Sequence, residues 1–182
     1  SSGQRIIKNS LTENISIYQR ATNKFIHIIL PKPRLFIIGA VHIAQALVSI
    51  AKIANYEITL IDPREHFATK KRFPNCTIIN EWPDTALANL TLDNASHIIT
   101  LTHDPKIDDP ALITALKNDT GYIGSLGSKK THNLRCERLR LLGFNKSDLS
   151  KIHGPIGLDI KAKTPAEIAI SILAEITNFR RL

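Results

Sequence analysis

An α/β fold is what this sequence predicts: a doubly wound parallel sheet between two helical layers, αβα. Three observations carry that prediction. Five short β-rich runs, most of them near-continuously apolar, recur at residues 35–38, 57–61, 77–79, 97–102 and 122–126. Most are continuous rather than alternating, which marks strands buried on both faces, as in a parallel sheet. Helical patterns lie between them, and right-handed strand–helix–strand units of this kind wind into an open sheet of expected strand order 3-2-1-4-5. The third observation is the stretch LFIIGAVHIAQAL at residues 35–47, where an apolar run meets a small-residue turn and then a helix-forming segment.

The elements follow in order. Residues 1–33 stand outside the pattern and read as an N-terminal extension. They hold a weak helix at 11–18 and an extra strand at 25–30, and Pro31 and Pro33 then punctuate the chain. Residues 34–182 form the main domain. After the first strand, Ile43, Leu47, Ile50 and Ala54 fall at helical spacing. A short helix is expected at 84–90. Asp109-Pro110 reads as the start of another, with Asp as N-cap and Pro at the first helical position. Residues 129–142 read as a basic amphipathic helix ended by Gly143. The last helix opens on Thr164-Pro165-Ala166-Glu167, a capping box. Its apolar stripe is Ile168, Ile172 and Ile176, with Ala169 and Leu173 beside it.

A hydrophobic share of 43% in 182 residues suffices for one packed domain. No apolar run is long enough to span a bilayer, and no charged-then-apolar leader opens the chain. Cys76 and Cys136 are isolated, which suits a reducing, cytoplasmic setting. The net charge of +8 comes from scattered lysines and arginines without interleaved aromatics. That reads as codon bias with a mild preference for anionic ligands, not as a nucleic-acid footprint. No residue set has the spacing of a metal site.

Chemistry is expected beyond the carboxyl ends of the strands, where strand order reverses. The turn there approximates a dinucleotide fingerprint, with Gly39, Ala40, His42 and a small closing residue, Ala44. Val41 replaces the middle glycine, where a pyrophosphate would lie against bare backbone. A positive φ at that position would strain a β-branched residue by about 1–2 kcal/mol. NAD(P) binding is therefore weakened, while the architecture is kept. Asp62 ends the second strand where a carboxylate takes ribose hydroxyls, and Arg64 follows, placed to meet a 2′-phosphate. Gly124 and Gly127 bracket a second turn, with Ser128 as N-cap and Lys129 and Lys130 alongside, which makes an anion site or an ordinary cap. Thr102, His103 and Asp104 form the loop facing the first turn, and His42 and His103 read as ligand contacts or an acid/base pair. No residue is assigned as catalytic.

The stretches GAVHIAQAL, LTHDPKIDDPAL, GYIGSLGSKKTH and PIGLDIKAKTPAEIAISILAEI resemble the Rossmann domain of the XdhC/CoxI family, from about Arg34 to Arg181. Those proteins are accessory factors of xanthine dehydrogenase and related molybdenum hydroxylases. The resemblance implies a maturation factor that binds the molybdenum cofactor (molybdopterin), protects it while its sulfido ligand is installed, and delivers it to the apo-enzyme. The implied partners are that apo-enzyme and a cysteine desulfurase, and a homodimer is compatible with the fold. By position the resemblance carries over His42; Thr102, His103 and Asp104; Gly124, Gly127 and Ser128; and Gly157 and Asp159. The chain departs from the family at Val41, at Lys161 where the family tends to have Gly, and in a reduced, cysteine-free N-terminal part. The rival readings are an NAD(P)-dependent oxidoreductase and a nucleotide-sensing domain.

Overall fold

The computed structural model describes residues 17–19, 23–26 and 32–181. Its first elements are an antiparallel pair, β1 (Ile17–Gln19) and β2 (Lys24–Ile26), with Tyr18 opposite Phe25. Asn23 takes a φ of 54° just before β2, a left-handed conformation that asparagine tolerates, and it accepts a hydrogen bond from the Tyr18 hydroxyl. Tyr18 is thus in a strand, not at the end of the expected helix. The β-branched and aromatic residues of the two segments outweigh a weak helical pattern. Residues 11–16 and 27–30 of those two expectations lie outside the described residues.

The main domain runs β3 (Arg34–Ile38), α1 (His42–Ile53), β4 (Glu57–Ile61), β5 (Thr77–Ile79), α2 (Pro83–Ala88), β6 (Ser96–Thr100), α3 (Pro105–Lys117), β7 (Ile123–Ser125), α4 (Lys129–Leu141), α5 (Lys146–Leu149), β8 (Ile152–His153) and α6 (Pro165–Phe179). The sheet is parallel throughout, in the order β5-β4-β3-β6-β7-β8. This is the expected 3-2-1-4-5 order with a sixth strand added beyond β7. The order reverses between β3 and β6, where Ile38 aligns with both Ile61 and Thr100.

The apolar runs are continuous because each strand alternates between two cores. In β3, Leu35 and Ile37 join the core under α1 and α6, with Leu47, Ile99 and Ile172. Phe36 and Ile38 join the opposite core, with Ile98, Ile107 and Leu112. Each such fully buried aliphatic side chain contributes about 1.5–3 kcal/mol, so the sheet is held from both faces. Among the described residues, no helix is long and apolar enough to cross a membrane.

The helix starts follow the capping chemistry with one correction. Thr164 and Glu167 form the reciprocal box of α6. Ser128 caps α4 by accepting from Thr131 N at 3.1 Å. The helix expected to begin at Asp109-Pro110 starts five residues earlier. Asp104 is its cap, accepting from Lys106 N at 2.9 Å, and Pro105 holds the first position. Two Asp-Pro pairs lie between β6 and the end of α3, and the earlier one wins because it follows β6 directly. Pro110 is carried inside α3, where it removes one backbone hydrogen bond.

Candidate functional site

The β3–α1 turn is built around a carboxylate. Gly39 has a φ of 108°, and a Cβ there would lie 2.5 Å from Thr102 Cγ2. The turn therefore needs glycine at that one place, both for its backbone and for its contact with the loop after β6. Val41 carries no such demand: its φ is −85° and ψ 174°, ordinary extended backbone at the N-cap of α1. The strain expected of its β-branched side chain is absent, because the left-handed position falls two residues earlier. Its isopropyl group is half-buried against the α1/α6 core.

Asp62 is fully buried. One carboxylate oxygen accepts from Ala40 N at 2.7 Å and from an Arg64 terminal nitrogen at 2.8 Å. The other accepts from Arg64 N and Nε, each at 2.9 Å. A carboxylate has about four acceptor positions, and this chain's own donors fill them. Burial alone would raise the Asp62 pKa. The hydrogen bonds from Arg64 and Ala40 outweigh it and hold the carboxyl below the usual carboxylate range. Sequence reasoning offered Asp62 to a ribose and Arg64 to a phosphate; in the fold the two hold each other.

The rest of the space beside β4 is filled as well. The Arg64 guanidinium lies 4.8 Å from the Phe67 ring centroid. Arg72 donates to Ala40 O at 3.0 Å and Phe67 O at 2.5 Å. What remains between Ala40, Val41, His42, Arg64, Phe67 and Arg72 is a cavity of about 130 Å³. Sites for small organic ligands run to roughly 300–1,000 Å³.

The loop after β6 is held by a residue the sequence reading missed. Asp108, in the first turns of α3, is buried. It accepts from Thr102 Oγ1 at 2.6 Å and from His103 N at 3.0 Å. Burial raises its pKa, against the pull of those bonds and of the Arg135 charge. The loop so fixed carries His103 at φ 64° with its side chain exposed. Backbone held in that region by surrounding bonds is a recurrent mark of ligand-handling loops. No local signal in the sequence marks it, since the helix was expected to start one residue later, at Asp109.

The loop after β7 is fixed in a similar way. Thr100 and Ser125 hydroxyls meet at 2.5 Å, and Leu126 N donates to Thr100 O at 2.9 Å. Beneath it, the buried Arg135 of α4 donates to Leu126 O at 2.9 Å. Burial lowers the Arg135 pKa. Gly124 lies within β7 and Gly127 in the loop; Ser128, Lys129 and Lys130 are exposed at the start of α4.

The loop after β8 comes to the same edge. Ile156 N donates to Ser125 O at 3.2 Å. Gly157 N donates to Glu175 of α6 at 2.7 Å, and that carboxylate also accepts from the Tyr122 hydroxyl. Asp159 is exposed and pairs with Lys161 at 2.8 Å. Lys161, and further off Lys129, hold Asp159 below its ordinary pKa, which ties this loop to the start of α4. Lys161 sits at φ 60°, a left-handed position that suits the glycine expected there from the family resemblance. Lys161→Gly is expected to leave the melting temperature unchanged or raise it slightly, as read by thermal denaturation.

Glu175 sets an acid limit on this arrangement. Burial by itself would raise its pKa, but bonds from His153, Tyr122 and Gly157 N hold it below 4.5. A depressed carboxylate contributes stability above its unfolded pKa and loses it as pH falls through the folded value. Glu175→Gln is expected to lower the melting temperature at neutral pH and to flatten its decline below about pH 4.5.

The four loops therefore stand together beyond the carboxyl ends of β3, β6, β7 and β8. His42 and His103 follow neighbouring strands and are both exposed there. Asp62 and Arg64 are turned to each other, and Arg64 lines the same small cavity as His42. Among the described residues, no group of three or more His, Cys, Asp and Glu is gathered as metal ligands.

With this geometry in hand, comparison with known proteins gives a family. Residues 35–176 match the family model described as the XdhC Rossmann domain. The chain belongs to that family. Over 150 residues this XdhC domain is 31% identical to the molybdenum cofactor insertion chaperone PaoD of Escherichia coli, covering 82% of the chain and 41% of the relative. Over 179 residues it is 29% identical to a Bacillus subtilis protein described as a probable xanthine dehydrogenase subunit, covering 98% of the chain and 52% of that protein. A solved structure described as a xanthine dehydrogenase from Bacillus halodurans superposes with a TM-score of 0.74 at 32% identity, over 86% of the chain and 45% of its own length. The XdhC domain thus spans about half, or less, of the relatives it matches.

Proposed function

We propose that this XdhC domain holds a compact phosphate-bearing guest, the molybdenum cofactor or a nucleotide form of it, over the loops after β3, β6, β7 and β8. It then passes the guest to the apo-enzyme of a molybdenum hydroxylase. The observation that carries this reading is the division of the sheet's carboxyl edge. On the β4 side, where the adenosine of a dinucleotide would lie, Arg64, Phe67 and Arg72 fill the space. On the β7 side, the capped start of α4 presents Ser128, Lys129 and Lys130 to solvent. Free N–H groups and the positive end of a helix favour a phosphate. The description of PaoD as a molybdenum cofactor insertion chaperone, and of the Bacillus subtilis relative as a probable xanthine dehydrogenase subunit, supports the guest and the recipient proposed for this chain.

The test is expression in a host that makes the cofactor, with the oxidised pterin read by fluorescence from the purified protein. Retained pterin, and activation of a hydroxylase apo-enzyme on mixing, are expected. Protein that carries no pterin and activates nothing overturns the proposal. Lys129→Ala with Lys130→Ala, which leaves the Ser128 cap in place, is expected to reduce retained pterin about tenfold or more at an unchanged melting temperature.

The rival reading, an NAD(P)-dependent oxidoreductase, is tested separately. Val41→Gly opens the turn but leaves Arg64, Phe67 and Arg72 in place, so NADH fluorescence is expected to stay unchanged on addition of the variant. Micromolar NADH binding by the unaltered chain would favour the rival.

A further inference from the structure

The opposite edge of the sheet, at the amino ends of β3, β6 and β7, holds a larger cavity than the loop edge. It measures about 540 Å³ and is lined by Pro33, Ala95, His97, Gly121, Phe179 and Arg180 among others. That volume is in the range of small-ligand sites. No role proposed above uses it.

Its most informative residue is His97, on β6 and only 2% exposed. The ring Nδ1 accepts from Tyr122 N at 3.2 Å. An imidazole nitrogen that accepts carries no proton, so the ring's proton is on Nε2. That Nε2 is buried and has no hydrogen-bond partner among the described residues. Burial, with the Arg180 charge beside it, lowers the His97 pKa to about 4. At neutral pH the ring is therefore an uncharged donor waiting for an acceptor. Buried donors are rarely left so, and one that lines a cavity of this size has room there for an acceptor, a water or a ligand.

Arg180 supplies the complementary charge. Among the described residues it donates one bond, to the Tyr56 hydroxyl at 3.1 Å, and its guanidinium lies 5.3 Å from the Tyr56 ring centroid. Tyr56 in turn meets His97 edge to face at 6.2 Å. The exposed guanidinium is thus kept beside His97 with donors to spare. Phe179 is fixed by edge contacts of 5.5 Å with Tyr122 and with His153, and with Pro33 it gives the cavity apolar walls.

We propose that this cavity binds a planar carboxylate, its ring against Phe179 and Pro33 and its carboxylate accepting from His97 Nε2–H and from Arg180. A carboxylate is singled out because one group then satisfies both the orphaned donor and the guanidinium. Arg180, held by a single bond, is the group that shifts to admit it. This site lies at the far end of the strands from the loops that hold the proposed guest, so it goes beyond that reading and does not rest on it.

Titration of the whole chain with 2-naphthoate, followed by two-dimensional ¹H–¹⁵N NMR, tests the assignment. Saturable shifts are expected at Thr120, Gly121, Phe179 and Arg180, together with a downfield, slowly exchanging His97 Nε2–H. Arg180→Met is expected to weaken binding about tenfold or more, and 2-naphthylmethanol, which lacks the charge, to bind correspondingly weakly. Ala95→Phe, at a half-exposed lining position, is expected to abolish binding while leaving the remaining spectrum folded. Ser128→Ala is expected to change nothing at this site. The proposal fails if no shift saturates at millimolar naphthoate, if the shifts map to the loop edge, or if Arg180→Met binds as well as the parent.

Discussion

Asp62→Ala is expected to destabilise the chain by about 2–3 kcal/mol, read as a lower urea midpoint at unchanged m-value. The carboxylate accepts four hydrogen bonds in a fully buried position. Removing it leaves Ala40 N–H without an acceptor at the tightest point of the β3–α1 turn. Arg64 is about one-third exposed and regains water, so the loss stays below the 3–5 kcal/mol typical of breaking a fully buried pair. In a domain of this size that lowers the melting temperature by roughly 5–10 °C. The pH dependence has a definite sign. Asp62 is depressed below 3.8, so its contribution is complete above that value and is lost as pH falls through the folded pKa. The difference between parent and variant should therefore shrink in acid. A change under about 0.5 kcal/mol, the level of an ordinary surface substitution, would mean that the carboxylate does not hold the turn.

Gly39→Ala is the second large effect, expected at about 3 kcal/mol or more. Two costs add. The φ of 108° lies where an L-residue is strained by about 1–2 kcal/mol. The new methyl would also stand 2.5 Å from Thr102 Cγ2, and such overpacking costs about 1–3 kcal/mol. The two can be separated. Thr102→Ser removes the opposing methyl but keeps the hydroxyl that donates to Asp108. In the Gly39→Ala background it is expected to recover the packing cost, about 1 kcal/mol or more, and leave the backbone cost. Equilibrium unfolding of the four chains measures the coupling. Additivity of the two substitutions would show that the loops after β3 and β6 do not touch as described.

The sheet was legible because its signal is repetitive. A strand such as 34–38 alternates between two buried faces, so nearly every position past Arg34 is apolar, and the run itself declares a parallel strand. The last helix was legible from a local cap that needs no tertiary partner. β8 was not, since two residues, Ile152 and His153, leave no pattern to read. Pro110 misled because an Asp-Pro pair marks a helix start only when no earlier pair has already begun the helix. At the candidate site the sequence showed which loops carry polar chemistry but not which side chains are spent on one another. Asp62 and Arg64 are two residues apart, and nothing in that spacing tells whether the guanidinium turns back or outward. Phe67 and Arg72 come from an irregular stretch between β4 and β5 whose path has no periodic signature. Arg135 looked like one more surface cation on a basic helix; its depth becomes plain only once α4 is seated beneath the β7 loop.

Strand β6 has a foot at each edge of the sheet. His97 stands near its amino end, and its carboxyl end runs into Thr102 and His103. The five residues of Ser96–Thr100 are all buried, and at about 3.3 Å per residue they span roughly 17 Å. Two occupants, one at each end, would never meet, and both could be seated at once. Any influence of one on the other must be reciprocal and must pass along a rod clamped on every side. Such a rod has little room for two alternative positions, so the affinity at one end should be indifferent to saturation of the other.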